Sequence, residues 1–207
     1  MTGTNRLYPG PLFLLLGYCI CLAGCTPPVP DYYPVGDFAL TERSGRTVTK
    51  SDLLGKVWIA SFVFTRCTGP CPQISGTVAR LQKELAHEKD VLLVTFTVDP
   101  EHDNPDELRA YAAHFGADPE RWLFLTGKQE EVYRLLREGF KVAVEQNQGE
   151  ARTPGNEVTH STRLVLVDRR GHVRGYFDGR QVDDLGNPVD DLPKLHKALA
   201  HVLREQP

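Results

Sequence analysis

Two cysteines four positions apart, set between an apolar run and an amphipathic run, constrain this chain more than any other feature. They lie in Phe64-Thr65-Arg66-Cys67-Thr68-Gly69-Pro70-Cys71-Pro72. The run before them, Val57 to Phe64, is rich in β-branched and aromatic residues and predicts a buried strand. After them Ile74, Val78, Leu81 and Leu85 recur at helical spacing. The cysteines therefore fall where a strand turns into a helix. Unpaired N–H groups and the positive end of the helix dipole favour a thiolate there. Four residues of helix rise about 6 Å, within the Cα separation that a disulfide tolerates. Cys67 and Cys71 can close on each other or converge on a metal, and their spacing leaves both open. A glycine–proline turn between them argues against two inert core thiols.

The other cysteines, Cys19, Cys21 and Cys25, belong to an N-terminal apolar segment. With Arg6 ahead of it, the run from Leu12 to Leu22 fits a secretory signal and is too short and early for a membrane span. It ends Leu22-Ala23-Gly24-Cys25, which resembles a bacterial lipoprotein signal, cut before Cys25 with that cysteine lipidated. The expected division is a signal over 1–24, a lipidated cysteine and proline-rich tether over 25–34, and one domain over 35–205. The domain would then sit on the extracytoplasmic (periplasmic) side of a bacterial cell membrane, held by a lipid anchor. Within it Cys67 and Cys71 are the only thiols. A pair so close ties down little unfolded-chain entropy, so a structural disulfide explains it poorly. Met1 is the only methionine, which excludes a thioether copper site from the processed chain.

A hairpin is expected from Gly36–Leu40 and Ser44–Val48, followed by the Val57 strand, the cysteine turn and a helix ending near Lys89. Val91 to Val98 is continuously apolar, the pattern of a parallel strand covered on both faces. An acidic loop, Asp99 to Pro105, leads to a helix with Leu108, Tyr111, Ala112 and Phe115 on one side. Trp122–Leu125 reads as a strand, Glu130–Glu138 as a helix, Phe140–Val144 as a strand, and Gln146–Asn156 as a polar loop. A second hairpin, Leu164–Asp168 with Val173–Phe177, precedes a last helix striped by Leu192, Leu195, Leu199 and Val202. This order predicts an α/β protein of thioredoxin-like plan: a central mixed sheet flanked by helices, with an N-terminal β-hairpin and an insertion. A net charge of −3 over 207 residues gives no basic excess, so nucleic acid is not an expected partner.

The chain resembles the Sco/SenC family of membrane-tethered, thioredoxin-like copper proteins. The residues that carry the resemblance are Phe64-Thr65-x-Cys67-x-x-x-Cys71-Pro72, then Val98-Asp99-Pro100-Glu101-x-Asp103-x-Pro105, then Thr159-His160-Ser161. It runs from about Val35 to Leu203. Two positions depart from the family pattern. Thr68 stands where a proline usually follows the first cysteine, and His102 where arginine is usual.

The resemblance implies a metallochaperone that delivers copper to the CuA site of cytochrome c oxidase. It implies metal ligation by Cys67, Cys71 and His160, with the oxidase's copper-binding subunit as partner. A thiol–disulfide reductant or another copper chaperone would be a second partner. Two thiolates and an imidazole suit Cu(I), and Cu(II) also fits the imidazole; zinc competes for the same donors. The alternative is a thiol–disulfide oxidoreductase that keeps the oxidase's copper-ligand cysteines reduced. In it Cys67 attacks, Cys71 resolves, and His160 is not needed. A thiol peroxidase has no further motif in its favour. Asp99 and Asp103 are read as the end of a strand and a helix cap, with an electrostatic or docking role as the other reading. His87, His102, His114, His172, His196 and His201 are read as surface histidines, and Asp183-Asp184 with Asp190-Asp191 as a solvated loop.

Overall fold

In a computed structural model that describes residues 28–183, 185–189 and 191–205, all seven residues of strand β3 (Val57–Val63) are buried. Such a strand needs neighbours on both edges and cover on both faces. β4 (Val91–Thr97) lies parallel on one edge, and β8 (Arg163–Val167) antiparallel on the other. β5 (Trp122–Thr126) continues the parallel set, and β9 (Val173–Asp178) follows β8. The hairpin of β1 (Ala39–Glu42) and β2 (Thr47–Thr49) closes the far edge, giving seven strands in the order β2-β1-β5-β4-β3-β8-β9. The mixed sheet, its flanking helices and the N-terminal hairpin agree with the sequence-based expectation.

α1 (Lys50–Leu53) is one short turn, while α2 (Cys71–Glu84) joins the parallel pair β3 and β4. α3 (Pro105–His114) joins β4 to β5, and α5 (Leu192–Arg204) ends the described chain. The buried face of α5 is Leu192, Leu195, Ala198, Leu199 and Val202, as the spacing predicts. The core gathers around Phe140, whose ring lies 5.2 Å from Phe62 and Phe96 and 5.9 Å from Trp58. These edge-to-face contacts stabilise beyond simple burial.

Two local expectations differ from the structure. The helix α4 (Gln129–Arg134) passes into a π-helical turn, Leu135–Gly139, instead of stopping. The strand expected at Phe140–Val144 lies later, as β6 (Val144–Gln146), and pairs antiparallel with β7 (Val158–His160) in a separate two-stranded sheet. The stretch expected to be a plain loop is thus the tip of a hairpin. Its strands are three residues each, too short for alternation to show.

The proline-rich segment, expected as a tether, is bound to the domain over its described part. Arg174 donates to the carbonyls of Pro30 (2.6 Å) and Val29 (3.1 Å), and Tyr32 N to Val173 O (3.0 Å). Asp31 pairs with Arg170 and His172. These contacts lie at the start of β9, and the cysteines follow the far end of β3. Cys25 and the expected signal over 1–24 lie outside the described residues.

Candidate metal centre

The cysteine turn begins where β3 ends. Cys67 N donates to Phe64 O (3.3 Å), which folds the chain back at once. Pro70 then occupies the cap position of α2, with Pro72 in its first turn. Proline lacks the N–H that a first turn would leave unpaired, so it suits this place. Cys71 opens α2 and is fully buried, whereas Cys67 is partly exposed. Both are free thiols in this structure.

His160 arrives from the other side of the sheet. β8 runs antiparallel to β3 with Ala60 opposite Val165, so the start of β8 lies beside the end of β3. His160 ends β7 just before that start, not in an open loop as the sequence suggests. Its Nε2 lies 3.3 Å from Cys71 Sγ. Its Nδ1 lies 2.9 Å from Ser161 O, which can only accept. Nδ1 therefore carries a proton, and Nε2 faces the sulfurs, where it donates to a thiolate when protonated and can ligate a metal when not. The Phe64 ring stands edge-on to the imidazole at 5.9 Å.

The two thiols are pushed apart electrostatically. The hydrogen bond from Cys71 holds the Cys67 thiol far below its ordinary range, against the opposing effect of burial. His160 and the backbone N–H groups of Cys71 and Gly69 add to it. Burial, then the neighbouring Cys67, push Cys71 the other way. One activatable thiolate thus sits at the mouth with one thiol behind it, the polarity that a dithiol pair needs.

A metal held at about 2.3 Å from sulfur and about 2.0 Å from imidazole nitrogen separates those atoms by roughly 3.5 Å at a tetrahedral angle. The observed 3.3 Å is close to that. Phe64, Cys67, Gly155, Val158 and His160 line a cleft of about 350 Å³ onto which Cys67 and His160 open, with Cys71 buried behind them. Among the described residues no three His, Cys, Asp or Glu side chains already form a closed metal-ligating group. The donor set suits a soft cation and is open on the Cys67 side.

Residues 29–192 match the family described as SCO1/SenC. The chain belongs to the SCO1/SenC family. It is 34% identical over 188 residues to the SCO1 protein homolog of Bacillus subtilis, covering 90% of this chain and 91% of that one. Among solved structures it is similar to BsSco, a member of the Sco family of cytochrome c oxidase assembly proteins in which a disulfide switch is identified. That match has TM-score 0.70 and 29% identity over 86% of this chain and 100% of that one. Arabidopsis thaliana ScoI with copper bound matches with TM-score 0.64 and 26% identity, over 80% and 97% of the two chains.

In this SCO1/SenC chain the acidic loop does something the sequence does not announce. Asp103 was expected to cap α3, but Asn104 does so, accepting from the N–H groups of Asp106 and Glu107. Asp103 is fully buried and accepts instead from Thr65 N (3.1 Å), Thr65 Oγ1 (2.6 Å) and the Thr97 hydroxyl. Asp99 accepts from Arg66 at 2.6 Å. The loop after β4 therefore holds the residues just before Cys67. On the opposite side Arg66 pairs with Glu157 at 3.4 Å, and Thr68 N donates to Gly155 O at 3.2 Å. Sequence reasoning did not single out Arg66, Gly155 or Glu157. The charges were visible, but their pairing follows only from the placement of the β6–β7 hairpin. His102 is half-buried beside Asp99. His172, His196 and His201 pair with Asp31, Glu84 and Glu205, away from the thiols.

Proposed function

We propose that this protein is a copper-binding metallochaperone, tethered by lipid at Cys25 on the extracytoplasmic side of a bacterial membrane. It hands copper to the CuA site of cytochrome c oxidase. The observation that carries the reading is the 3.3 Å approach of His160 Nε2 to Cys71 Sγ beside the partly exposed Cys67. Family membership supports it, as do the copper bound to the Arabidopsis relative and the oxidase-assembly role of BsSco.

In this reading Cys67 and Cys71 bind Cu(I) as thiolates and His160 as the neutral imidazole. Loading releases the Cys71 proton, so uptake is favoured by rising pH. Three protein donors leave one side of the ion open to the donors of an acceptor protein, which transfer requires. The apolar run ending Leu22-Ala23-Gly24-Cys25, read as a lipoprotein signal over 1–24, supports the anchor. The test is anaerobic Cu(I) titration of the reduced protein and of a Cys67→Ala, Cys71→Ala double variant, in competition with a chromophoric chelator. Tight one-to-one binding by the unchanged protein alone is expected. Equal binding by both overturns the reading.

The depressed Cys67 thiol beside the raised Cys71 thiol supports a second activity, thiol–disulfide exchange on the oxidase's copper-ligand cysteines. Cys67 attacks a disulfide as thiolate. This releases one substrate thiol and leaves the other substrate sulfur in a mixed disulfide with Cys67. Cys71 gives up its proton and attacks Cys67 Sγ, expelling that second substrate sulfur as a thiol and leaving a Cys67–Cys71 disulfide for an external dithiol reductant to reopen. His160→Ala should leave this exchange largely intact while weakening copper binding.

A further inference from the structure

Cys67 is fastened to the histidine-bearing hairpin through both of its chain neighbours. On one side Arg66 Nη1 lies 3.4 Å from Glu157 Oε1. On the other, Thr68 N donates to Gly155 O at 3.2 Å. Residues 155 and 157 belong to the segment that runs directly into β7, and β7 ends at His160.

The second contact is close enough to require glycine at 155 and to exclude proline at 68. Gly155 has φ +83°, and a Cβ there would lie 2.4 Å from Thr68 Oγ1 and 2.6 Å from Thr68 Cγ2. A side chain at 155 would be strained by the backbone and would collide with Thr68. A proline at 68 would have no N–H for the Gly155 carbonyl. The first contact is anchored on buried groups. Arg66 also donates to Asp99, whose side chain is 2% exposed, and the Glu157 side chain is 9% exposed. Glu157 Oε2 has no hydrogen-bond partner among the described residues, and Arg66 is the charge that faces this buried carboxylate.

Helix α2 holds Cys71 in place, whereas Cys67 depends on turn contacts: its own N–H to Phe64 O and the acidic loop's hold on Thr65 and Arg66. Cys67 stands in a turn of glycine and proline, and these two clips are the contacts that tie that turn to the segment carrying His160. We infer that Arg66 and Thr68 are positioning residues, which hold Cys67 against the Gly155–Glu157 segment so that its sulfur and His160 face one cleft before any metal arrives. The inference rests on the copper reading for its purpose and on the two contacts for its substance. Ordering a flexible ligand loop costs binding free energy, and a loop already ordered avoids that cost. Each clip should therefore strengthen metal binding only as far as His160 takes part.

The experiment is a double-mutant cycle on Cu(I) affinity. It uses reduced protein under anaerobic competition with a chromophoric chelator. Thr68→Pro and Glu157→Gln are each measured with His160 present and with His160→Ala. Because a proline at 68 also restricts Cys67 itself, Glu157→Gln supplies a variant that leaves the backbone of the cysteine turn unchanged. Each variant should weaken Cu(I) binding about 10-fold when His160 is present, the usual scale for groups that orient ligands. Neither should weaken it when His160 is absent, and Thr68→Ser, which keeps the N–H, should match the unchanged protein. Undiminished weakening in the His160→Ala background, or no weakening in either, overturns the inference. Hydrogen exchange in the metal-free protein tests the clip separately. The Thr68 amide should be protected there and should lose protection in Glu157→Gln if the two contacts act together. Fast exchange in the unchanged protein overturns the clip. Failure of the unchanged protein to bind Cu(I) would overturn the copper reading, and the Thr68 amide would then decide the clip by itself.

Discussion

Cys71 Sγ and His160 Nε2 are 3.3 Å apart although 89 positions separate them in the chain. The contact is made by the sheet. Cys71 follows β3, His160 precedes β8, and the antiparallel pairing of Ala60 with Val165 brings the two ends together. A slip of one residue in that pairing would turn every β8 side chain to the other face and carry His160 away from the thiols. The burial of Leu164 to Val167 fixes the register, and so the core sets the position of the third donor.

Replacing His160 by alanine should lower Cu(I) affinity at least about 10-fold, since it removes a donor and not merely a group that orients one. The fold should be little affected, because the ring is only half-buried and its other contacts are its neighbour's carbonyl and the Phe64 ring. Competition titration gives the affinity, and thermal unfolding of the metal-free protein checks the fold. Unchanged affinity would remove His160 from the site.

Alkylation of Cys67 should depend little on pH between 6 and 8. An ordinary thiol with pKa about 8.5 gains close to tenfold in thiolate for each pH unit in that range. Cys67 has its thiol depressed by the Cys71 hydrogen bond and is already ionised there. A lower pKa also makes the thiolate intrinsically less nucleophilic, so the flat profile is the signature rather than a high rate. Cys71, buried and pushed upward, should stay unmodified in the folded protein. Rates with iodoacetamide, located by peptide mass mapping, give both results. A rise near tenfold per unit at Cys67 would contradict the assignment.

The cysteine turn, the parallel strands and the last helix could be read from sequence because each has a periodicity or motif of its own. Seven successive buried residues in β3 write a continuous apolar run, and α5 writes its stripe. The β6–β7 hairpin could not be read. Its two strands have three residues each, and its order comes from pairing with each other and with the cysteine turn. The role of Asp103 was hidden for a related reason. An aspartate one or two residues before a proline that opens a helix is a natural cap by local rules. Here Asn104 takes the cap, which frees Asp103 to turn inward to Thr65 and Thr97.

Asp103→Ala should destabilise the protein by about 1–3 kcal/mol, because it leaves buried donors at Thr65 and Thr97 unpaired. It should also loosen the turn before Cys67. Chemical denaturation gives the first quantity, and faster amide exchange at Thr65 the second. The acid dependence has an unusual sign. Burial holds the Asp103 carboxyl above its ordinary pKa. A carboxyl raised on folding opposes stability above its folded pKa, and that opposition fades as pH falls toward the unfolded value. The difference in stability between the unchanged protein and Asp103→Asn should therefore change with pH above about 4, the ordinary carboxylate range, and be constant below it.

Arg174→Met should cost about 3 kcal/mol and lower the unfolding temperature by about 6–12 °C. The guanidinium is buried with Asp168, pairs with Glu205 at the end of α5, and holds the carbonyls of Val29 and Pro30. Removing it breaks one buried pair and frees both the N-terminal segment and the end of the last helix. Arg170 still faces Asp168 at 2.9 Å, which limits the loss. Protease cleavage within Val29–Pro34 should become faster in the variant, while Cys67 alkylation at the opposite end of the sheet should not change. The pH dependence separates this network from ordinary packing. The Arg174 hydrogen bond holds the Glu205 carboxyl below its usual value. A carboxylate lowered on folding adds stability above its unfolded pKa of about 4.3, and this is lost as pH falls through the folded value. The stability gap between the unchanged protein and Arg174→Met should accordingly be full at pH 6 and narrow below about pH 4. A gap that is constant down to pH 3 would mean that Arg174 acts through its packing alone.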